Sequence, residues 1–215
     1  MTRWIDISQP LTNDMAHWPG DTPFEYGLTY SKEDTGSVNI GQITTSLHIG
    51  THVDAPFHFD DKGTTINALD INTYIGKALI VDVSVFDPVT PEALKNVDFS
   101  EVERVLLRTS LPNDPKVFPE DMPILDPSLA GFLHEKGVKL LGVDIPSVDP
   151  PESKSLAMHH ALHEHSILIL ENLMLDHVDP GLYELIALPL AIQDADGSPV
   201  RAVIKPVRSE GHANE

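Results

Sequence analysis

Four side chains that can bind metal ions fall within one short stretch of the chain. His48, His52, Asp54 and His58 bring three imidazoles and one carboxylate into eleven residues. All four occupy even-numbered positions, and alternate side chains of an extended strand share one face. Imidazole and carboxylate are ligands for Zn²⁺, Mn²⁺ or Fe²⁺. Because the chain contains no cysteine, the pattern predicts a metal site built from nitrogen and oxygen ligands.

A straight strand could not form this site. At about 3.3 Å per residue it would place His48 and Asp54 roughly 20 Å apart, whereas metal–ligand bonds are about 2 Å long. We expect the chain to bend at Gly50, since glycine adopts the backbone angles that a bulge or sharp turn requires. Pro56 then restricts the backbone again before His58. A single HxxxH pair would be more typical of an ordinary polar loop, but the full pattern favours a metal site.

A second segment offers further ligands. Residues 155–165 are predicted to form a helix that carries His159 and His160, and the apolar strand 167–170 follows it and ends in Glu171. Burying an unpaired carboxylate costs several kcal/mol, so we predict that Glu171 completes the metal site together with one histidine of the helix. His159 and His160 point about 100° apart on a helix, and the choice between them stays open at this point.

Composition limits the possible partners. The chain has 215 residues, with 33 acidic against 14 basic side chains and a net charge of −19. Such an acidic surface repels nucleic acid and anionic membranes. No apolar run approaches the roughly 20 residues of a membrane helix, and the first residues show no signal-peptide core. Together with the absence of cysteine, this composition predicts a soluble cytoplasmic protein that does not bind nucleic acid or membranes.

Short strands, few helices and 18 prolines predict a single mixed α/β domain over residues 1–208, followed by a polar tail at 209–215. The apolar runs 78–83 and 138–143 are typical of strands buried on both faces. Asp126 and Pro127 begin a helix that Gly137 ends. The predicted strands lie at 4–7, 27–30, 38–47, 78–83, 105–108, 138–143 and 167–171, with a final hairpin of 185–192 and 200–207.

Two loops hold other candidate residues. Trp18 lies beside a Pro-Gly pair, where it either packs over its own loop or forms the aromatic wall of a pocket. Asp144 and Ser147 follow the strand 138–143, at the carboxyl end where α/β sheets often bind ligands. Their alternative role is to form turns and caps.

The stretch from His48 to Phe59 contains HxGTHxDxPxHF intact. It resembles the signature of the metal-dependent cyclase family. The Trp-Pro-Gly-Asp loop at 18–21 and the segments 143–150 and 169–173 are similar to those of the family's bacterial kynurenine formamidases. The resemblance covers nearly the whole chain, and no position of the metal site departs from the pattern.

The resemblance implies a homodimer with a swivelling β/β/α fold and two divalent metal ions per subunit, Zn²⁺ first and Mn²⁺ as the alternative. The family's histidine precedes its glutamate by twelve residues, which selects His159 over His160. His58 is implied as the acid/base residue, and Trp18 as part of the substrate pocket. The implied metal ligands form two groups that share a carboxylate: His48, His52 and Asp54 for one ion, and Asp54, His159 and Glu171 for the other.

The implied reaction is hydrolysis of N-formyl-L-kynurenine to L-kynurenine and formate in tryptophan degradation. The residue types fit this chemistry, because a divalent metal lowers the pKa of bound water from 15.7 towards about 7. Imidazole titrates near neutrality, so His58 could take a proton from water and return it to the leaving aniline nitrogen. No GxSxG motif is present, which disfavours a serine-hydrolase mechanism.

Three alternative functions remain at this point. The first is hydrolysis of a cyclic amide or lactone such as isatin by the same residues. The second is a metal-dependent binding protein without catalysis, against which the presence of His58 argues. The third is a structural metal site, although such sites are generally closed by four protein ligands and this sequence offers more.

Overall fold

A mixed nine-stranded sheet organises residues 3–207, the part of the chain that this computed structural model describes. Two further strands form a separate hairpin beside it. The strands are β1 (Ile5–Asp6), β2 (Glu25–Tyr30), β3 (Ile40–Thr44), β4 (His52–Asp54), β5 (Ile75–Asp82), β6 (Arg104–Arg108), β7 (Leu140–Val143), β8 (Leu168–Glu171), β9 (Gly181–Ile186), β10 (Gly197–Pro199) and β11 (Val203–Pro206). The helices are α1 (Lys32–Thr35), α2 (Ser128–Glu135) and α3 (Ala157–Glu164), with 3-10 turns at Pro56–His58, Ile66–Ala68, Ile71–Tyr74 and Pro91–Leu94.

The order of the nine strands across the sheet is β1-β11-β9-β5-β6-β7-β8-β4-β10. Strands β5 to β8 run parallel to one another in the centre, and the strands on both sides are antiparallel to their neighbours. Strand β4 therefore lies between β8 and β10, near one edge. This position brings the predicted metal-binding stretch beside the strand that ends in Glu171.

The core lies on both faces of the central strands. In β6, Val105 and Leu107 belong to the cluster that α2 and α3 cover, whereas Leu106 belongs to the cluster on the opposite face. Strand β5 follows the same alternation, because Ala78 and Ile80 are buried in the second cluster. The continuous apolar runs of these strands thus result from burial on both faces, as the sequence predicted.

Most predicted elements are present, with bounds that differ by a few residues. Helix α2 begins at Ser128, whose amide donates to the Asp126 carboxylate, and Gly137 follows it with a positive φ of 81°. The fold class of the prediction, mixed α/β with few helices, is confirmed. Within residues 3–207, no helix has the length and apolar character that crossing a membrane requires.

The predicted C-terminal hairpin is wrong in one respect. Strand β9 does pair with β11, through Ile186 and Val203. The chain between them does not form a simple turn, because it leaves this pair and contributes β10, which binds to β4 at the far edge of the sheet. The sequence could not show this excursion, since it depends on a partner strand more than 140 residues earlier. The predicted polar tail, 209–215, lies outside the described residues.

Candidate metal centre

The predicted bend is present at Gly50, which has a positive φ of 55°. It turns the chain between His48 and the short strand β4. Only His52 and Asp54 therefore share a strand face, and His48 reaches them by way of the turn. Thr51 fixes the turn, since its hydroxyl donates to the carbonyl of Asn172 at 2.6 Å. The even spacing predicted the cluster correctly, but a single extended face is not the reason for it.

His58 reaches the same place through a tight turn. It ends the 3-10 turn that begins at Pro56, and Gly63 packs against the backbone of that turn. A Cβ added to Gly63 would lie 2.3 Å from the carbonyl carbon of Pro56 and 2.5 Å from the amide nitrogen of Phe57. The close approach of these two backbone segments sets the position of His58.

The two oxygens of Asp54 face different histidines. Oδ1 lies 2.8 Å from His48 Nδ1 and 3.4 Å from His52 Nε2, whereas Oδ2 lies 3.4 Å from His159 Nε2. Oδ2 is buried and has no hydrogen-bond partner among the described residues. A buried carboxylate oxygen without a partner is costly, and a cation between Oδ2 and His159 would remove that cost.

Glu171 also lies between His52 and His159. It lies opposite His52 in the pairing of β4 with β8. Its Oε2 lies 3.2 Å from His52 Nε2, and its Oε1 lies 4.0 Å from His159 Nε2 while accepting from the amide of Val148 at 2.8 Å. Both carboxylates thus point one oxygen towards His52 and the other towards His159.

His48, His52 and His159 each have one nitrogen held by a partner outside this group. The Nδ1–H of His52 donates to the carbonyl of Gly50 at 2.9 Å, and the corresponding group of His159 donates to Asp149 at 2.7 Å. His48 uses Nε2 instead, which lies 3.0 Å from Asp196. Metal-binding histidines typically donate their second N–H in this way, which leaves the other nitrogen free to bind the ion.

The structure distinguishes the two adjacent histidines of α3. His159 is 2% exposed and points into the cluster. His160 is exposed and packs against the ring of Phe59, 5.6 Å away between centroids. Asp149 also accepts from the amides of Met158 and His159, at 3.1 and 3.0 Å. It therefore caps the start of the helix and orients His159 at the same time.

The electrostatics of the cluster favour positive charge. Burial opposes a charge on His48, His52 and His159, but hydrogen bonds to neighbouring carboxylates outweigh it and raise their pKa values to about 9, 10 and 10. Burial also opposes a charge on Asp54, yet the three imidazoles hold the pKa of this carboxyl well below its usual range. For Glu171, burial and the charge of Asp54 raise the pKa. A cluster that stabilises positive charge in this way can bind a divalent cation in place of protons.

His58 differs from the other three histidines. Its ring stacks at a 34° tilt on that of His48, with 3.8 Å between centroids, and it lies 6.1 Å from the ring of His159. Burial and the neighbouring His48 lower the pKa of His58. Its side chain is still partly open to solvent, so it stands at the mouth of the cluster as a neutral imidazole that can accept a proton.

A cavity of about 300 Å³ opens over the histidines, a size typical of small-molecule sites. Trp18 lies in its wall, with its ring edge against Phe118 at 5.4 Å between centroids. Of the two roles considered for Trp18, the structure therefore places it at the pocket while it also packs on a neighbour. Ser147 is buried and lines the cavity as well.

Asp144 does not join the cluster. Its carboxylate accepts from the amide and hydroxyl of Thr109 and from the amide of Ser110, which ties the ends of β6 and β7 together. Sequence reasoning missed Asp149 and Asp196, the two carboxylates that hold the second nitrogens of His159 and His48. No local pattern could have identified Asp196, because it lies in a turn 148 positions from its partner.

The donor set fits a divalent metal ion. It consists of three imidazoles with one nitrogen each directed inward, two carboxylates, and an oxygen of Asp54 that has no partner among the described residues. Within residues 3–207, two groups of three side chains lie close enough to hold an ion: His48, Asp54 and His58, and His52, Asp54 and Glu171.

Comparisons with known proteins identify relatives of this chain. A family model described as "Putative cyclase" matches residues 5–150. The protein named kynurenine formamidase from Bacillus cereus (strain ZK / E33L) is 57% identical over 206 residues, covering 96% of this chain and 99% of that protein. The protein of the same name from Bacillus cytotoxicus is 56% identical with the same coverage.

Solved structures share the fold. A potential metal-dependent hydrolase with cyclase activity matches with a TM-score of 0.83 at 22% identity, covering 97% of this chain and 100% of that chain. Isatin hydrolase A from Labrenzia aggregata matches with a TM-score of 0.81 at 23% identity, covering 96% and 94%. The family match spans more than half of the chain and the relatives align almost end to end, so this protein belongs to the putative cyclase family.

Proposed function

We infer that this protein hydrolyses N-formyl-L-kynurenine to L-kynurenine and formate, the arylformamidase step of the kynurenine pathway. The observation that carries this conclusion is the 57% identity, over 96% of the chain, to a curated kynurenine formamidase. The cluster of histidines and carboxylates at the base of a cavity gives the activity a physical basis. The substrate is a linear amide, and the bond that breaks joins the formyl carbon to the aniline nitrogen.

We propose two metal ions per subunit. The first would be held by His48, His52 and Asp54, and the second by Asp54, His159 and Glu171. The oxygens of Asp54 support this division, because Oδ1 faces His48 and His52 whereas Oδ2 faces His159. Zn²⁺ is the proposed metal and Mn²⁺ the alternative, because both accept nitrogen and oxygen ligands.

When bound, the metals supply activated water and polarise the formyl oxygen. The protein must then move one proton. His58 is neutral, partly exposed and stacked beside His48, so it is placed to take the proton from the attacking water. It returns this proton to the aniline nitrogen as the amide bond breaks, a role typically worth about 10²- to 10⁴-fold in rate. Trp18 provides a flat apolar wall for the aromatic ring of the substrate.

The test is hydrolysis of N-formyl-L-kynurenine by purified protein that has been stripped with a chelator and then reloaded with Zn²⁺ or Mn²⁺. We expect turnover to vanish on stripping and to return with metal. Isatin serves as the comparison substrate and should be turned over far more slowly. If metal-loaded protein left N-formylkynurenine intact, the formamidase assignment would be wrong.

We also propose that the protein is a homodimer, in which the β2–β3 hairpin contacts the second copy. Every residue of both strands is exposed. Large apolar side chains among them are 47–56% exposed: Tyr26, Leu28, Tyr30, Ile40 and Ile43. A two-stranded hairpin is marginally stable alone, and an apolar patch of this kind typically marks an interface.

Sedimentation of the protein and of a Leu28→Asp/Ile43→Asp variant tests the dimer. We expect the parent to sediment as a dimer and the variant as a folded monomer. An exposed change elsewhere, such as Val85→Asp, should leave the dimer intact. A parent that sediments as a monomer at micromolar concentration would contradict the proposal. A cytoplasmic location stays a prediction of the composition, which cell fractionation would test.

A further inference from the structure

Asp196 and Gly197 lie against the Nε2–Cε1 edge of the His48 ring, although they are far from it in sequence. The Asp196 carboxylate lies 3.0 Å from Nε2 of His48. A backbone hydrogen bond holds the turn of Asp196 against the end of strand β4, because the amide of Ala55 donates to the carbonyl of Asp196 at 2.8 Å. Gly197 pairs with Asp54 in the register of β10 and β4. The contact to His48 is therefore built on a sheet hydrogen-bond ladder and not on a free loop.

Gly197 leaves room for the imidazole. A Cβ at this position would lie 2.7 Å from Cε1 of His48, 3.1 Å from its Nε2 and 3.1 Å from the carbonyl oxygen of Val53. The His58 ring stacks against the same imidazole, with 3.8 Å between centroids. The imidazole of His48 thus contacts the bare backbone of Gly197 along one edge and the ring of His58 by stacking.

We propose that Asp196 and Gly197 form a seat that fixes the ring orientation and the tautomer of His48, and through the stacked ring the position of His58. With its Nε2–H donating to Asp196, His48 keeps its lone pair on Nδ1, which lies 2.8 Å from Asp54 Oδ1. That nitrogen is then aimed at the proposed metal position. Asp196 is a positioning residue, because it acts through His48. The inference rests on the proposed role of His48 as a ligand.

Metal binding without substrate provides the first test. Stripped Asp196→Ala, Asp196→Asn and the matched control Asp194→Asn, which changes an exposed aspartate of the same turn, are titrated with Zn²⁺ against a chromophoric chelator. We expect Zn²⁺ affinity to fall about 10- to 100-fold in Asp196→Ala. Asp196→Asn should lose less, because its amide oxygen still accepts from His48. Asp194→Asn should match the parent protein.

The absorption spectrum of the Co²⁺-loaded protein reports ligand geometry directly. It should change in Asp196→Ala and stay unchanged in Asp194→Asn. Gly197→Ala should also weaken Zn²⁺ binding, since the added methyl group displaces the ring, whereas Gly131→Ala has room in helix α2 and should not. At saturating metal we expect a lower kcat with little change in KM for Asp196→Ala. Without Asp196 the His48 ring is no longer fixed, and the His58 ring that stacks on it loses its position.

Parent-like Zn²⁺ affinity together with a parent-like Co²⁺ spectrum in Asp196→Ala would overturn the proposal. Circular dichroism and Tm establish that each variant is folded. If Asp196→Ala does not fold, Gly197→Ala carries the test, because parent-like Zn²⁺ affinity in that variant contradicts the proposal equally. The affinity measurements use no substrate, so a failure of the formamidase assignment would leave them interpretable.

Discussion

At the residue scale, the site depends on side chains with two partners each. Asp54 and Glu171 direct separate oxygens to separate histidines, and every buried imidazole uses one nitrogen for a fixed acceptor. His58 alone among the four histidines lacks a hydrogen-bonded acceptor within the described residues, since Asp196 lies 3.7 Å from its Nδ1. This difference separates the proposed acid/base residue from the proposed ligands.

The first prediction concerns that separation. His58→Ala should keep its metal but lose about 10²- to 10⁴-fold in kcat, because the proton would have no carrier. His52→Ala or Asp54→Ala should lose metal as well as turnover. Metal content by mass spectrometry, measured beside kcat, distinguishes the two classes. Loss of metal from His58→Ala would reassign His58 as a ligand.

The second prediction concerns Asp144. Burial raises the pKa of this carboxyl to about 6, against the hydrogen bonds from Thr109 and Ser110. The folded state therefore binds more protons than the unfolded state, whose carboxyl titrates near 3.9. The resulting contribution to stability is complete below the unfolded pKa and is lost as pH rises through about 6.

Asp144→Asn removes this titration. Between pH 4 and pH 7, the free energy of unfolding of the parent should decline relative to that of the variant by on the order of 1–3 kcal/mol. Denaturant titrations in chelator, at several pH values, measure the difference without a contribution from metal. Parallel stability curves for the two proteins would show that Asp144 does not titrate in this range.

At the element scale, the metal site is assembled from a glycine turn, the edge-region strand β4, the end of β8 and the first turns of α3. Strand β4 is only three residues long, but β8 and β10 fix its position on both sides. The turn that carries His58 depends on packing against Gly63.

The third prediction follows from that packing. In Gly63→Ala the new methyl group meets backbone atoms, which cannot move aside as a side chain can, so the turn of His58 must shift. We expect a loss of about 1–3 kcal/mol in stability and of up to about 10²-fold in kcat, as misplacements of about 1 Å cause. Bound metal should remain.

Gly131→Ala is the control for this change. It lies in helix α2, where the added Cβ would be 3.4 Å from His165 Nε2, and alanine should favour the helix by up to about 1 kcal/mol. Thermal unfolding and steady-state kinetics of both variants make the comparison. Equal kinetics in Gly63→Ala and Gly131→Ala would mean that the close approach at Gly63 does not control His58.

At the scale of the whole molecule, the proposed ligands connect distant parts of the chain. They lie between His48 and Glu171 in sequence and unite the sheet with helix α3. A metal ion that binds these residues only when they are brought together stabilises the folded state by mass action.

The fourth prediction is that chelation lowers Tm. Metal at about 100 times its Kd contributes about 2.7 kcal/mol, which corresponds to roughly 5–10 °C for a chain of this size. Scanning calorimetry with chelator and with increasing Zn²⁺ measures the effect. Asp54→Ala should show no response to either addition. A parent Tm that changes neither with chelator nor with Zn²⁺ would mean that no ion binds these residues in the folded state.

The sequence by itself determined the family, the mixed α/β class and the ligand-rich stretch, because these depend on local pattern: residue types, spacing, apolar runs and turn residues. It also indicated a metal as the partner of Glu171. A carboxylate at the end of an apolar strand needs a partner, and the nearby histidines favour a metal in that role. The family and the fold class are confirmed by the comparisons, while the roles of the individual site residues stay proposals.

Only the tertiary structure decided the geometry that makes these residues act together. The turn at Gly50 sets the approach of His48, and burial separates His159 from the exposed His160. Strand β10 brings Asp196 beside His48. No sequence pattern indicates that contact, because hydrogen bonds between strands depend on which segments become neighbours in the sheet and not on their separation along the chain.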